Sequence, residues 1–235
     1  EDARLRLADL AAASRAFDLW DRFRHRDAAD ILASLAERYP PLATFANQAK
    51  AAEEREPARI LDLWRNAERR AARGRYDDAV ARLYRLTEWV AQWWLKHQHR
   101  IDTGTMDWSR VTTQEIARAG LGDQQGKPTL SGLTQAWKLI AAKEPEGPVA
   151  RFLNGPFPHK DKKKTGEGRL RDMLELRNRS ILAHGERPLA ETDWQKWCEF
   201  AEAMRKAVLV HVLREASAAA ELPPQLPQDP AALGF

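Results

Sequence analysis

An all-α fold is what the sequence predicts, and three observations carry that expectation. No segment alternates cleanly between apolar and polar residues, and β-branched residues are sparse, so strand signals are nearly absent. Alanine, leucine, arginine and glutamate dominate, as helices prefer. Apolar residues return at every third or fourth position in several long stretches, which marks a buried helix face.

The first helix is expected from about Asp2 to Arg24, with Leu7, Leu10, Ser14, Phe17 and Trp20/Asp21 on one side. A second runs from about Asp27 to Arg38 and is stopped by Tyr39-Pro40-Pro41, because proline removes a backbone donor and clashes with the preceding turn. These two form an N-terminal helical hairpin with its linker, residues 1–56. Pro57 suits the first turn of a helix that runs to Gly74, a natural stop. Asp77 and Asp78 then favour the start of a long helix to about His99, acid meeting the positive end of the dipole. Its Tyr76, Val80, Leu83, Leu86, Val90 and Trp93/Trp94 make a wide core face. Thr112 with Glu115 reads as the capping box of a short helix ending at Gly120. Short helices are expected at Leu130 to Ala142 and at Val149 to Leu153, followed by a loop from Asn154 to Gly168. A further helix starts near Gly168 and is ended by Gly185, with Pro188 preventing its resumption. Thr192 with Gln195 reads as a second capping box, opening a last helix to about Ala219. Residues 57–220 thus form the main domain, and residues 221–235 a proline-rich tail without regular structure.

Composition narrows the function classes. A chain of 235 residues can bury one sizeable core or two small ones. No run of eighteen apolar residues exists, so nothing is expected to span a membrane. The amphipathic, acidic start EDARLRLADL argues against a signal peptide. Cys198 is the only cysteine, which excludes an internal disulfide and suits a reducing cytoplasm. A net charge of +4 permits RNA binding without requiring it. Most of the nine tryptophans are expected in a core or an interface.

The chain is organised around Leu176 to Gly185, LRNRSILAHG. On a continuous helix, Arg177 and His184 share the stripe of Leu170, Leu174 and Ile181, since seven steps come within about 20° of two full turns. Arg179 lies on the far side. Burying an unpaired guanidinium costs several kcal/mol. That face is therefore expected to open onto a wet cleft, an acidic partner or a second chain.

Arg-Asn, a short apolar run and His-Gly resemble the motif of the HEPN ribonucleases, in which an arginine precedes a histidine by four to six residues. The run Arg75 to Leu95, RYDDAVARLYRLTEWVAQWWL, is similar to the long helix in the HEPN part of type III CRISPR-associated ancillary ribonucleases. The resemblance covers roughly Ala58 to Glu215. It implies a HEPN-like bundle and metal-independent cleavage of single-stranded RNA, with no cofactor. Products would carry 2′,3′-cyclic phosphate and 5′-hydroxyl ends. It also implies a homodimer with composite sites, a role in antiviral defence, and activation by cyclic oligoadenylate through a sensor domain not found in these residues.

By that resemblance Arg177 and His184 are the catalytic pair. The chemistry fits: an imidazole with an ordinary pKa near 6.5 moves protons at neutral pH, and a guanidinium holds phosphate oxygens bidentately. Asn178 could orient either partner. Arg179 also satisfies the spacing, and would reach substrate if the helix frays there. On a continuous helix Arg177 and His184 stand about 10 Å apart along the axis, so two antiparallel copies would be needed to unite them. The alternative is that Arg177 pairs with an acid such as Glu175 or Glu88 while His184 merely caps its helix. The loop cations His159, Lys160, Lys162, Lys163 and Lys164, with Arg169, are either solvated or bind the phosphate backbone. His97 and His99 point about 160° apart on a helix and lack further ligands at suitable spacing. Trp89, Trp93 and Trp94 could stack bases, although their helical spacing fits a core. A non-catalytic RNA-binding or dimerising adaptor, and a toxin held by a partner, are the rival readings of the whole chain.

Overall fold

The computed structural model describes residues 2–130, 132–158, 164–213 and 224–235. The fold is all-α: among the described residues there is no strand, only isolated bridging pairs. The helices are α1 (Asp2–Asp21), α2 (His25–Leu35), α3 (Leu42–Glu54), α4 (Glu56–Ala72), α5 (Tyr76–His99), α6 (Thr113–Ala119), α7 (Leu133–Lys143), α8 (Pro148–Asn154), α9 (Gly166–Asn178) and α10 (Glu191–Met204). A π-helical turn, Arg205–Leu209, carries α10 on into α11 (Val210–Leu213). The chain forms two compact units, Glu1–Asn66 with Glu221–Phe235, and Ala67–Ala220. The division falls inside α4, whereas the sequence placed it before Pro57.

In the first unit the expected hairpin is only part of the architecture. Leu42, Ala46, Ala49 and Ala52 are buried at helical spacing along α3, a helix missing from the sequence reading. Pro40-Pro41 therefore both ends one helix and precedes the next. The buried stripe of α1 is Asp9, Ala13, Ala16, Leu19 and Trp20, while Leu7 is 67% exposed. Bulk was a poor guide to this face, because small alanines let α2 approach closely. Asp62 on α4 is buried and accepts from Trp20 Nε1 at 2.9 Å and pairs with His25 Nε2 at 2.8 Å. Asn66 donates to the Asp21 backbone and carboxylate, both at 3.0 Å. The expected structureless tail is ordered at its end. A 3₁₀ turn at Pro230–Leu233 buries Leu233, and Phe235 stacks on Tyr39 with ring centroids 4.0 Å apart.

The second unit is built on α5, whose Val80, Leu83, Leu86, Val90, Trp93 and Trp94 are all buried as the periodicity predicts. α7, α9 and α10 pack against it. Trp137 on α7 donates to the Thr87 carbonyl at 3.2 Å, and Phe152, Phe157, Trp197 and Phe200 complete the core. The capping box at Thr112 and Glu115 forms, and Gly120 ends α6 with φ +64°. α9 starts tight against α8. A Cβ at Gly166 would lie 1.9 Å from the Phe152 carbonyl oxygen, so only glycine fits there. α10 starts at Glu191, one residue before the predicted cap, and Asp193 rather than Thr192 does the capping, accepting the Ala190 N–H at 3.2 Å.

Candidate active site

The motif helix is shorter than its periodicity suggests. α9 ends at Asn178, and the chain then turns instead of continuing to Gly185. The Ser180 N–H donates to the Arg177 carbonyl at 2.9 Å, tightening the last turn, and Ser180 itself is buried. Its carbonyl then receives the N–H groups of both Ala183 and Gly185, each at 3.0 Å. This closes a single turn and brings Gly185 back onto the end of α9. A Cβ on Gly185 would lie 1.9 Å from the Arg179 carbonyl oxygen. Gly185 is thus required by close backbone approach, not by a cap at the far end of a longer helix. The departure leaves Ile181 and Leu182 exposed, at 56% and 58%.

The return arm of this turn is braced at three points. The Ile181 N–H donates to the Arg187 carbonyl at 3.1 Å. Arg187 pairs with the buried carboxylate of Asp193. The Leu189 N–H donates to Asp77 Oδ2, in the first turn of α5, at 3.0 Å. Burial alone would raise the Asp193 carboxyl. The Ala190 N–H, Arg187 and Lys196 outweigh that and hold it below the usual carboxylate value.

Arg177 is half-buried at the end of α9. Its Cζ lies 4.5 Å from the centroid of the Tyr84 ring on α5, a cation–π contact. Nη1 donates to Asn178 Oδ1 at 3.2 Å, so Asn178 orients the guanidinium. Among the described residues no carboxylate forms an ion pair with Arg177. Glu88 is taken by Arg85 at 2.6 Å and Glu175 by Arg179 at 3.7 Å, so the neutralising alternative is not realised. A ring face supports the positive charge without occupying the N–H edge. That edge stays available to phosphate oxygens.

His184 stands on the crest of the turn, exposed, with no hydrogen bond or ion pair to other described residues. No continuous helix joins His184 to Arg177, so the separation of about 10 Å along one helix axis expected from the sequence does not apply. Arg179 is the residue that closes α9, and its side chain is 79% exposed. Lys164 and Arg169 are engaged within the fold. Lys164 pairs with Asp172 at 2.7 Å, while Arg169 lies over Phe157 and faces Glu199 at 3.5 Å and Asp172 at 3.8 Å. His159, Lys160, Lys162 and Lys163 lie outside the described residues.

Other candidates have structural roles. His99 pairs with Glu144 at 2.7 Å, on the same oxygen that accepts from Trp94, and His97 stacks on Trp93. No group of three potential metal ligands occurs among the described residues. Burial, with Glu68 and Glu199 nearby, pushes the Cys198 thiol up to about 12. No described helix is long and apolar enough to cross a membrane. Sequence reasoning missed Tyr84, Asp77 and Asp193 as supports of the site. Tyr84 does follow Tyr76 and Val80 at four-residue steps, but nothing local ties it to Arg177.

An all-helical unit that ends α9 on an arginine and exposes a histidine on the turn that follows, neither meeting an acid among the described residues, is consistent with a HEPN-like bundle. A family model described as the Csm6 HEPN domain matches residues 48–207, about two-thirds of the chain. The chain belongs to that family, the CRISPR-associated HEPN ribonucleases. The match begins within α3 and takes in α5 to α10, including the whole motif turn. A search of curated proteins finds no match.

Proposed function

We propose that the protein is an endoribonuclease that cleaves single-stranded RNA without a metal ion. The observation that carries this reading is Arg177, a half-buried guanidinium held by a ring face with no carboxylate partner among the described residues, seven positions before the exposed imidazole of His184. In the reaction the ribose 2′-oxygen attacks the adjacent phosphorus, the P–O5′ bond breaks, and a 2′,3′-cyclic phosphate and a 5′-hydroxyl result. Arg177 stabilises the extra charge on the pentavalent phosphate, where charge-assisted bonds strengthen toward the transition state. His184 moves the proton, from the 2′-hydroxyl as base or to the 5′-oxygen as acid. Asn178 fixes the guanidinium, and Arg179 is the adjacent cation for a neighbouring phosphate.

The active form in this proposal is a homodimer in which Arg177 of one copy and His184 of the other serve one phosphodiester. Support comes from Ile181 and Leu182, two exposed apolar side chains within three residues of His184. Lys160, Lys162 and Lys163 would track the backbone near the entrance to α9. Family membership adds two further parts: action in antiviral defence in the cytoplasm, and activation by cyclic oligoadenylate bound at a sensor lying outside these residues. The test is incubation of the protein with labelled single-stranded RNA in EDTA. Cleavage that survives chelation and disappears in His184→Ala supports the enzyme. No cleavage at micromolar protein leaves a helical binding module.

A further inference from the structure

The two proposed catalytic side chains come from different local structures, one from the end of a helix and one from a turn. What fixes one against the other is a third element. Arg177 rests on the ring of Tyr84, and the return arm of the His184 turn hangs from Asp77 through the Leu189 N–H. Both supports are on α5. They are seven residues apart, so they lie on one stripe, separated by about 10 Å along the axis. α5 also carries a deeply buried face, with Val80, Leu83 and Leu86 each at most 1% exposed, and close packing there makes it a rigid support.

We infer that Asp77 and Tyr84 are positioning residues of the active site, α5 acting as the ruler that sets where each copy presents its Arg177 and its His184 to the two composite sites. This rests on the nuclease reading above. A purely stabilising role explains Asp77 poorly. Its Oδ1 is buried without a hydrogen-bond partner, a costly arrangement for a carboxylate that only anchors one amide. Tyr84 likewise makes its ring contact with Arg177, which has no carboxylate partner among the described residues.

Displacing a reacting group by about 1 Å can cost about a hundredfold in rate. Steady-state cleavage of a fluorophore–quencher single-stranded RNA by the full 235-residue chain reads this directly. Asp77→Ala and Tyr84→Leu are each expected to lower kcat by about ten- to a hundredfold with KM within about twofold. Asp77→Asn, whose amide oxygen still accepts the Leu189 N–H, and Tyr84→Phe, which keeps the ring, are expected to rescue most of the loss. Should Asp77→Ala fail to fold, Asp77→Glu decides, because it keeps the charge but shifts the acceptor. Wild-type kcat in Asp77→Glu or Tyr84→Leu, with His184→Ala inactive, overturns the ruler and leaves the nuclease reading intact. Wild-type kcat in His184→Ala overturns both.

Discussion

Two histidines, one in each unit, contrast a structural group with one proposed to act on substrate. His25 is 1% exposed and pairs with Asp62, which also accepts from Trp20, so the acid and the imidazole answer each other inside the protein. His184 is exposed, on a turn, and answered by no described residue. The arginines repeat the contrast. Arg38 in the first unit meets the buried Asp9 at 2.8 Å, whereas Arg177 in the second meets a ring and an amide. Arg38 is neutralised by a buried acid, whereas Arg177 and His184 meet no acid among the described residues, as suits groups proposed to receive substrate.

The largest test of that contrast is catalytic. Arg177→Ala and His184→Ala are each expected to lower cleavage by about a thousandfold, while melting temperature changes little, because neither anchors the core. Mixing the two inactive variants sharpens it. In a composite dimer one of the two sites regains both native groups, so measurable activity should return; a mixture that stays inactive would place both groups of each site in one chain. Asp62→Ala should show the reverse profile. Removing the acid strands His25 and the Trp20 N–H in the core of the first unit, and unfolding free energy should fall by about 3 kcal/mol in denaturant titration. Cleavage per folded molecule should be unaltered.

A smaller effect is expected at Gly185. Gly185→Ala forces the turn off the Arg179 carbonyl, and kcat should drop by about tenfold with a modest loss of stability. Retained activity would mean that the turn tolerates being re-formed. The smallest effect concerns Asp193, whose carboxyl is held below its ordinary value, so it is ionised in the fold at pH values where the unfolded chain has taken up a proton. Its contribution is therefore complete above the unfolded value and fades as pH falls through the lower folded one. The melting-temperature gap between wild type and Asp193→Asn should be open at pH 7 and close in strong acid. A gap independent of pH would assign Asp193 a role of shape only.

How far the sequence carried depends on how local each signal is. The limits of α5, the Thr112–Glu115 cap and the start of α4 at Pro57 follow from spacing and from chemistry within a turn or two, and the structure reproduces them. Arg177, Asn178 and His184 were also visible as a pattern. Other features were not local. Alanines at Ala13 and Ala16 outcompeted Leu7 for the interior because α2 approaches closely, which no amphipathic count on α1 reveals. The end of α9 at Asn178 went unseen because Ile181 and Leu182 continue a helical period. Contacts from Asp193 and Asp77 nevertheless pull the chain into a turn.

By itself, then, the order of residues determined the helical class, the long central helix and which groups are proposed to carry the chemistry. These depend on backbone propensity, on periodic burial and on side-chain type, all of which act over a few positions. Only the tertiary structure decided that Arg177 would be held by an aromatic face instead of an acid, and that His184 would leave the helix. Both outcomes depend on which distant side chain arrives first at a buried charge or an unpaired N–H. Tyr84, Asp77 and Asp193 are far from the motif in sequence or on a separate element, and packing alone brings them there.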